Sequence, residues 1–491
     1  MAPPLTSHSH RTLTAVEYYR HPAVRTRIRE YCGATHAIGA IGAGKFTCAY
    51  VAAVDGGDSG SSWESARLYP PEELPRLLDA GADISRSMWD TDSLLFHLDL
   101  DYLNPEQPAE PFLHPADVFF ALEPVYAATR QVLHAFGIDA LEIVTGRGHH
   151  FSGRIPWTHP VVHHLAELVP EMPAWHATMA ARMPEWMTHT LNEAQARAYT
   201  GIGMLVEHLA HLILRRAAPH TSIPVVFNGT EVGGTGLAGR ACVSIDFSYA
   251  GDPLDVRHIR VAFGAYQMHR FRPDIFGHDV AHDIPVIAAV PRAHRSLFKI
   301  LTDARRPSSA ALDAEHRSVE MPDVAQGIAS LLVDYMPTRL AAFHREFYRA
   351  APHPPARWPE TYDRFDPATL APCIGAPLVH PNDLLLQPAR IQYLTRGLLA
   401  HGWDPRHIAG LVNSRYAADH GWGERWSRQD ARTRAEFDVR VFAGLIAAGL
   451  DQATDFNCVS AQEKHLCPHD PNCHVDLRLE RVKLLERVEP A

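Results

Sequence analysis

Two aspartates at the end of an apolar run constrain this chain more than any other feature. The run extends from Leu94 to Tyr102, and its length and polar borders predict a buried β-strand. Because side chains alternate between the two faces of a strand, Asp99 and Asp101 are expected on the same face. Two ionised carboxylates this close repel each other unless a cation lies between them. The pair therefore predicts a site for Mg²⁺ or Mn²⁺, which take oxygen ligands; the alternative is a strand end that points into water.

Length and composition restrict the class of protein. The 491 residues are enough for two to four domains with apolar cores. The sequence has no apolar run of 18 residues and no signal-peptide pattern at its N-terminus, so a cytoplasmic protein without a membrane segment is expected. The net charge of −10 gives no general sign of a nucleic-acid partner. A local cluster of basic residues is a weak sign of such a partner. It comprises Arg257, Arg260, Arg270, Arg272, Arg292, Arg295, Lys299, Arg305 and Arg306.

A glycine-rich segment near the N-terminus, Gly39 to Phe46, matches part of a phosphate-binding loop. It has the G-x-x-x-x-G-K spacing that ends in Lys45, but Phe46 stands where a Ser or Thr hydroxyl is needed. A turn that leads into a strand is therefore expected here, and a P-loop ATPase is the less favoured alternative.

A second glycine-containing turn follows the strand predicted at 140–144. Thr145, Arg147 and His150 belong to this turn, whose sequence is Thr-Gly-Arg-Gly-His-His. Backbone N–H groups, a guanidinium and an imidazole in one turn suit an anionic ligand such as a triphosphate. Further along, Asp246 lies in another apolar strand, at 241–247. If that strand neighbours the first, three aspartates could hold two metal ions.

The remaining segments predict a two-part organisation. Helices are predicted at 15–32 and at 115–136, the second with Gly137 as its stop. Residues 161–217 also read as helices, and their histidines, His163, His164, His208 and His211, are interpreted as core or surface residues. A flexible connection is predicted at 307–318 and one helix at 324–349. The Pro-rich stretch 351–360 is the best linker candidate, and the pattern beyond it is almost wholly helical. The predicted domains are therefore 1–350 and 361–491.

Four cysteines lie beyond this linker: Cys373, Cys458, Cys467 and Cys473. Four thiolates can complete a tetrahedral zinc site or the ligand shell of a [4Fe–4S] cluster. Zinc sites usually use a tight C-x2–4-C pair, and the wider spacing here favours iron–sulfur. Zinc, with help from His465, His469 or His474, and thiols without a metal remain the alternatives.

Taken together, these motifs resemble the archaeo-eukaryotic primase superfamily. Its catalytic subunit has a D-x-D motif, an S-G-x-G-x-H-like turn and a later aspartate after apolar residues. Asp99-Leu100-Asp101, the turn 145–150 and Asp246 follow that order, with Thr145 where Ser is commoner. The segment 257–261, which contains Arg260, resembles a family segment near the nucleotide phosphates. The tail, with one cysteine well ahead of three others, resembles the iron–sulfur domain of the large primase subunit.

The resemblance implies an α+β catalytic core with an RRM-like mixed sheet and a helical insertion at about 161–217, followed by a mostly α-helical [4Fe–4S] domain. It implies a nucleotidyltransferase, a DNA primase or primase-polymerase, that uses NTPs or dNTPs on a single-stranded DNA template. Asp99, Asp101 and Asp246 would hold Mg²⁺ or Mn²⁺. The residues that would bind the nucleotide are Thr145, Arg147, His150 and Arg260. The ligands of the iron–sulfur cluster would be Cys373, Cys458, Cys467 and Cys473. A replicative helicase or other replication and repair proteins are the candidate protein partners.

Two other functions remain open from the sequence. One is a polymerase of the same superfamily that mainly extends existing primers in repair, since the same chemistry serves both. The other is a non-catalytic, zinc-containing nucleic-acid-binding protein whose aspartates lie on a solvated strand end.

Overall fold

The computed structural model describes most of the chain as an α+β fold with mixed sheets, as predicted. The described residues are 14–34, 45–54, 66–170, 184–187, 191–233, 238–248, 258–292, 295–423, 426, 430–450, 455–470 and 473–488. The glycines of the P-loop-like segment, 39–44, and Arg257 lie outside them. No helix in these ranges combines the length and the apolar character needed to cross a membrane.

The elements are numbered in chain order within the described residues. The strands are β1 (Val51–Val54), β2 (Arg67–Tyr69), β3 (Asp83–Ser87), β4 (Ser93–Leu103), β5 (Leu141–Val144), β6 (Gly148–Pro156), β7 (Val225–Phe227), β8 (Val232–Gly233), β9 (Ala238–Gly239), β10 (Cys242–Asp246), β11 (His258–Arg260), β12 (Ala265–Tyr266), β13 (Ile287–Ala288) and β14 (Val290–Pro291). The helices are α1 (Ala15–Tyr19), α2 (Pro22–Tyr31), α3 (Leu74–Asp79), α4 (Glu110–Leu113), α5 (Pro115–Ala135), α6 (Pro160–Glu167), α7 (Glu193–Ala217), α8 (Met268–Phe271), α9 (Pro273–Phe276), α10 (His278–Asp283), α11 (Leu297–Ala304), α12 (Pro307–His316), α13 (Ala325–Tyr335), α14 (Arg339–Arg349), α15 (Pro372–Val379), α16 (Pro381–Leu384), α17 (Pro388–Ala400), α18 (Pro405–Ala417), α19 (Ala431–Ala447), α20 (Cys458–Glu463) and α21 (Leu477–Val488).

The chain divides into two compact units. The first unit comprises Met1–Arg86, Ile143–Gly146 and Arg260–Glu320, and the second comprises Ser87–Glu142, Arg147–Ile259 and Met321–Ala491. This division differs from the predicted boundary at 351–360, because that segment and both of its flanks belong to the second unit. Part of the predicted linker, Pro355–Glu360, is a 3₁₀-helix.

In the first unit, β1 pairs antiparallel with β2 and β3. The helix expected at 15–32 is two helices, and Pro22 stands at the first position of α2, where its missing N–H costs nothing. The prediction of a flexible connection at 307–318 is wrong, because α12 occupies most of it. Pro307 begins this helix, and its small apolar side chains bury one face, namely Ala310, Ala311 and Ala314.

The second unit contains a mixed sheet with strand order β6, β4, β10, β7. β4 pairs antiparallel with β6 and β10, whereas β10 and β7 are parallel. α5 packs on one face of this sheet, where His149 of β6 contacts the rings of Phe119 and Tyr126. Gly137 follows α5 with φ of 71°, a conformation that favours glycine, so the predicted helix stop is confirmed.

The helices beyond residue 320 complete the second unit. The predicted helix 324–349 is two helices, α13 and α14, separated by a turn that contains Pro337; the Thr338 hydroxyl caps α14. The later helices pack against one another and reach the β8–β9 hairpin, where Lys464 and Glu231 form a buried ion pair with Nζ and Oε2 3.0 Å apart.

A buried ionic network joins α7 to α19. Glu207 is fully buried, and its carboxylate lies 3.2 Å from Arg440 Nε and 3.3 Å from His344 Nε2. Burial alone would raise the pKa of Glu207, but His344 and Arg440 lower it to about 2. Glu207 is therefore ionised at neutral pH inside the core, where Arg440 supplies the compensating positive charge and His344 lies within hydrogen-bond distance.

Removing the guanidinium of Arg440 should destabilise the second unit. We expect Arg440→Met to lower the free energy of unfolding by about 3–5 kcal/mol, because the buried Glu207 charge loses its partner. Arg349→Met is the matched control, since Arg349 and its partner Glu346 are largely exposed and such a pair contributes about 0–1 kcal/mol. Urea unfolding gives the free energy of unfolding of both variants. An equally small decrease in the two would contradict the role assigned to Arg440.

Candidate active site and metal centre

The register of three strands places the predicted aspartates on one face of the sheet. Asp99 of β4 lies directly opposite His150 of β6 and Asp246 of β10. Asp101, two residues along β4, lies opposite Gly148. Directly opposed residues share a face of a sheet, so the three aspartates and His150 point to the same side. The strand of Asp246 therefore does neighbour the strand of Asp99.

A further histidine belongs to this face and escaped the sequence analysis. His97 Nε2 lies 2.6 Å from Asp99 Oδ1, and His150 Nε2 lies 3.4 Å from the same oxygen. His97 is fully buried, and its Nδ1 is 2.8 Å from Ser152 Oγ. The signal was available, because His97 precedes Asp99 by two residues and the period of a strand places both on one face.

The Asp99 carboxylate is held in its ionised form. Burial by itself would raise its pKa, but the charges of His150, His97 and Arg147 together lower the pKa of Asp99 to about 2. The carboxylate is therefore negatively charged at neutral pH, although its side chain is only 23% exposed. An anionic oxygen with two imidazole nitrogens beside it is a donor set suited to a metal ion, and the ligand atoms of His97, Asp99 and His150 lie within 4.8 Å of one another.

Arg147 is paired with the second aspartate. Its Nη2 lies 2.8 Å from Asp101 Oδ2, and the Arg147 side chain is 37% exposed, so a ligand can reach it. The Arg147 carbonyl accepts a hydrogen bond from Tyr102 N at 3.0 Å, which fixes the turn to the end of β4. Gly148 allows β6 to lie close to β4 at this point, because a Cβ added there would lie 1.9 Å from the carbonyl oxygen of Leu100.

The third aspartate ends its strand in a local turn. One carboxylate oxygen of Asp246, Oδ1, accepts hydrogen bonds from the backbone N–H of Ser248 at 2.9 Å and from its hydroxyl at 2.7 Å. The side chain is half-buried. These bonds orient Asp246 from its own strand end, on the face that carries Asp99 and Asp101.

Two of the predicted nucleotide-binding residues belong to the first unit, Thr145 and Arg260. Thr145 is buried. Arg260 is also buried, forms an ion pair with Asp83 and lies over the Tyr266 ring at 4.3 Å. These contacts give Arg260 a packing role inside its unit.

Several other residues of the predicted basic cluster also have acidic partners. Arg295 lies 3.2 Å from Asp303 and 3.0 Å from Asp313, and Lys299 lies 3.1 Å from Asp303. Part of the positive charge suggested by the sequence is therefore neutralised locally.

The four C-terminal cysteines belong to the second unit and lie near one another. Cys373 is buried on α15, and Cys458 begins α20. Burial, reinforced by the nearby thiols of Cys467, Cys458 and Cys473, raises the pKa of Cys373 to about 12. A buried thiolate with three others around it is unfavourable alone, and a bound cation would offset that cost.

The segment around Cys467 is held in an unusual conformation. Arg390 donates hydrogen bonds to the carbonyls of His465 at 3.0 Å and Leu466 at 3.3 Å. His465 and His469 take positive φ, 52° and 53°, which costs a non-glycine residue of the order of 1–3 kcal/mol. The His469 N–H donates to Cys467 Sγ at 3.4 Å. Strain of this kind concentrates at ligand sites, and the four sulfurs are a fitting donor set for an iron–sulfur cluster or zinc.

No protein-family model, no curated protein and no solved structure matches this chain. Its function is therefore inferred from its own residues and their geometry.

The tight approach at Gly148 should be essential to the site. We expect Gly148→Ala to destabilise the protein by about 1–3 kcal/mol or more, since the added methyl group collides with the backbone of β4 rather than with a side chain that could move. Gly423→Ala is the matched control, because nothing lies within 4 Å of a Cβ added there. Thermal unfolding of both variants tests this; similar melting temperatures would show that β4 and β6 tolerate a wider spacing.

Proposed function

We propose that this protein is a template-directed nucleotidyltransferase, a DNA primase or primase-polymerase that makes primers on single-stranded DNA. The observation that carries the proposal is the strand register of β4, β6 and β10. It brings Asp99, Asp101 and Asp246 to one face of the sheet together with Arg147 and His150. Acidic oxygens beside cationic groups are the elements that phosphoryl transfer requires.

The three carboxylates offer the kind of oxygen ligand that divalent metal ions take. Asp99 is ionised in its environment, and Asp101 and Asp246 share its face of the sheet. Asp99, Asp101 and Asp246 would hold Mg²⁺ or Mn²⁺ through oxygen. When bound, the ions supply activation of the primer 3′-hydroxyl and stabilisation of the leaving pyrophosphate.

The turn between β5 and β6 would bind the incoming nucleotide. Arg147 presents a partly exposed guanidinium, and a triphosphate would compete with Asp101 for its N–H donors. His150 lies on β6, directly opposite Asp99 of β4, and it would donate a hydrogen bond to a phosphate oxygen. Thr145 and Arg260 belong to the first unit, and Asp83 already occupies the Arg260 guanidinium, so a part for them in nucleotide binding stays a prediction of the sequence.

The cysteine group would hold an iron–sulfur cluster. Its ligands would be Cys373, Cys458, Cys467 and Cys473, whose thiols interact electrostatically across three separate segments. A cluster at that place would tie α15 to the segment after α19. We propose that this region binds the initiating nucleotide or the template–primer end, with the metal site on the sheet of the same unit.

Primer synthesis should depend on the aspartate pair. On an unprimed single-stranded DNA template with labelled nucleotides and Mg²⁺ or Mn²⁺, we expect short products from the wild type. The Asp99→Ala/Asp101→Ala variant should lose at least about a hundredfold of this activity, because several kcal/mol of charge stabilisation disappear and each 1.4 kcal/mol is tenfold.

The control for this assay is Asp139→Ala, an exposed aspartate of the same unit, which should keep full activity. A parallel assay on a primed template separates initiation from extension. Equal synthesis by the double variant, or none by the folded wild type with either metal, would contradict the proposed function.

The metal content should depend on the buried cysteine. After anaerobic purification we expect about four iron atoms per chain and the broad visible absorption of a cluster, both lost in Cys373→Ala. Cys32→Ala, another buried cysteine, is the control and should retain the iron. One zinc ion per chain in place of iron would identify a structural zinc site, and the absence of both metals would overturn the assignment.

A further inference from the structure

The residues around Asp99 differ in kind from a carboxylate-only metal site. Two imidazole nitrogens converge on a single oxygen, Asp99 Oδ1, one from His97 on the same strand and one from His150 on the next. The two rings stand edge to face with centroids 5.1 Å apart. The result is a compact group of two nitrogens and one oxygen on the face of the sheet that carries the three aspartates.

One of the distances in this group matches the spacing of ligands around one ion. Zinc lies about 2.0–2.2 Å from nitrogen and oxygen ligands, so adjacent ligands of such an ion are about 2.8–3.6 Å apart. The 3.4 Å between His150 Nε2 and Asp99 Oδ1 falls in this range. The 2.6 Å between His97 Nε2 and Asp99 Oδ1 is shorter than this range by a few tenths of an ångström.

The hydrogen bonding behind His97 is that of a metal ligand. Metal-binding histidines usually donate their second ring N–H to a nearby oxygen, which fixes the tautomer and directs the other nitrogen at the ion. His97 Nδ1 has such a partner in Ser152 Oγ at 2.8 Å, and both residues are fully buried. With the proton on Nδ1, the Nε2 lone pair is directed at the place where Asp99 and His150 meet.

We infer that His97, Asp99 and His150 form a site for a single divalent transition-metal ion, such as Mn²⁺, Fe²⁺ or Zn²⁺, in preference to Mg²⁺. Imidazole nitrogen is a good ligand for transition ions, whereas Mg²⁺ selects oxygen and keeps its waters. This inference deepens the proposed function. Use of the ion in catalysis rests on that function, whereas binding of the ion to these residues does not. The inference assigns His97 as a metal ligand and Ser152 as its positioning residue, and it gives His150 Nε2 to the ion rather than to a phosphate oxygen of the nucleotide.

Binding of Mn²⁺ to the stripped full-length protein tests the inference without any activity assay. Electron paramagnetic resonance measures the concentration of free Mn²⁺, an ion that the thiol groups of the protein bind poorly. The affinity for Mg²⁺ is measured by its competition with Mn²⁺. We expect His97→Asn to raise the Kd for Mn²⁺ at least about tenfold, since loss of an outer-shell partner alone costs 10–100-fold. The Kd for Mg²⁺ should change by less than about threefold, because oxygen ligands remain.

Three further variants make the test specific. His150→Asn should repeat the effect of His97→Asn, and it keeps the proposal testable if the fully buried His97 variant fails to fold. Ser152→Ala should weaken Mn²⁺ binding by about tenfold, as an outer-shell partner does. His149→Asn is the control: His149 is a buried histidine of the same strand, but its ring contacts α5 on the opposite face, so Mn²⁺ affinity should stay unchanged.

Equal affinities for Mn²⁺ and Mg²⁺, or Mn²⁺ binding unaffected in folded His97→Asn and His150→Asn, would overturn the inference even if primers are made. Selective Mn²⁺ binding that requires both histidines would support it even if no primer is made, and in that case the proposed function alone would fail.

Discussion

The pairing of β4 with β6 and β10 is the constraint on which the rest of the site depends. A single register sets Asp99 between His150 and Asp246 and sets Asp101 beside Gly148. A shift by one residue would turn every one of these side chains to the opposite face. The apolar residues of β4 would then leave the core at the same time. Burial of one face of the sheet therefore fixes the chemistry of the other.

Concentrating carboxylates on one face is costly, and the neighbouring residues offset that cost. Arg147 neutralises Asp101, while His97 and His150 lie against Asp99. These are also the groups that would meet a phosphate or a metal ion. Positive charge near the aspartates thus stabilises the protein when no ligand is bound. On binding, the same groups would exchange their hydrogen bonds to the aspartates for stronger charge-assisted hydrogen bonds to the ligand.

The helices after residue 320 are part of the same unit as this sheet. Arg440 of α19 reaches Glu207 of α7, and Lys464 reaches Glu231 beside the β8–β9 hairpin. Buried ion pairs fix one arrangement, because removing either partner leaves a charge in the core. The segment that carries the cysteines is thereby held to the unit that carries the aspartates. No periodicity or spacing in the sequence indicates this, since the partners are more than two hundred residues apart.

Local patterns in the sequence determined the strand that carries Asp99 and Asp101, the helix ended by Gly137 and the α+β class, because alternation, helical spacing and glycine conformation act within a few residues. The same patterns misjudged α12, whose small buried face is visible only once it is packed. Only the tertiary structure decided that Asp246 faces Asp99, that His97 joins them and that Arg260 is engaged by Asp83. These relations depend on which distant segments become neighbours, and that choice is made by burial and pairing over the whole chain rather than by any one stretch of it.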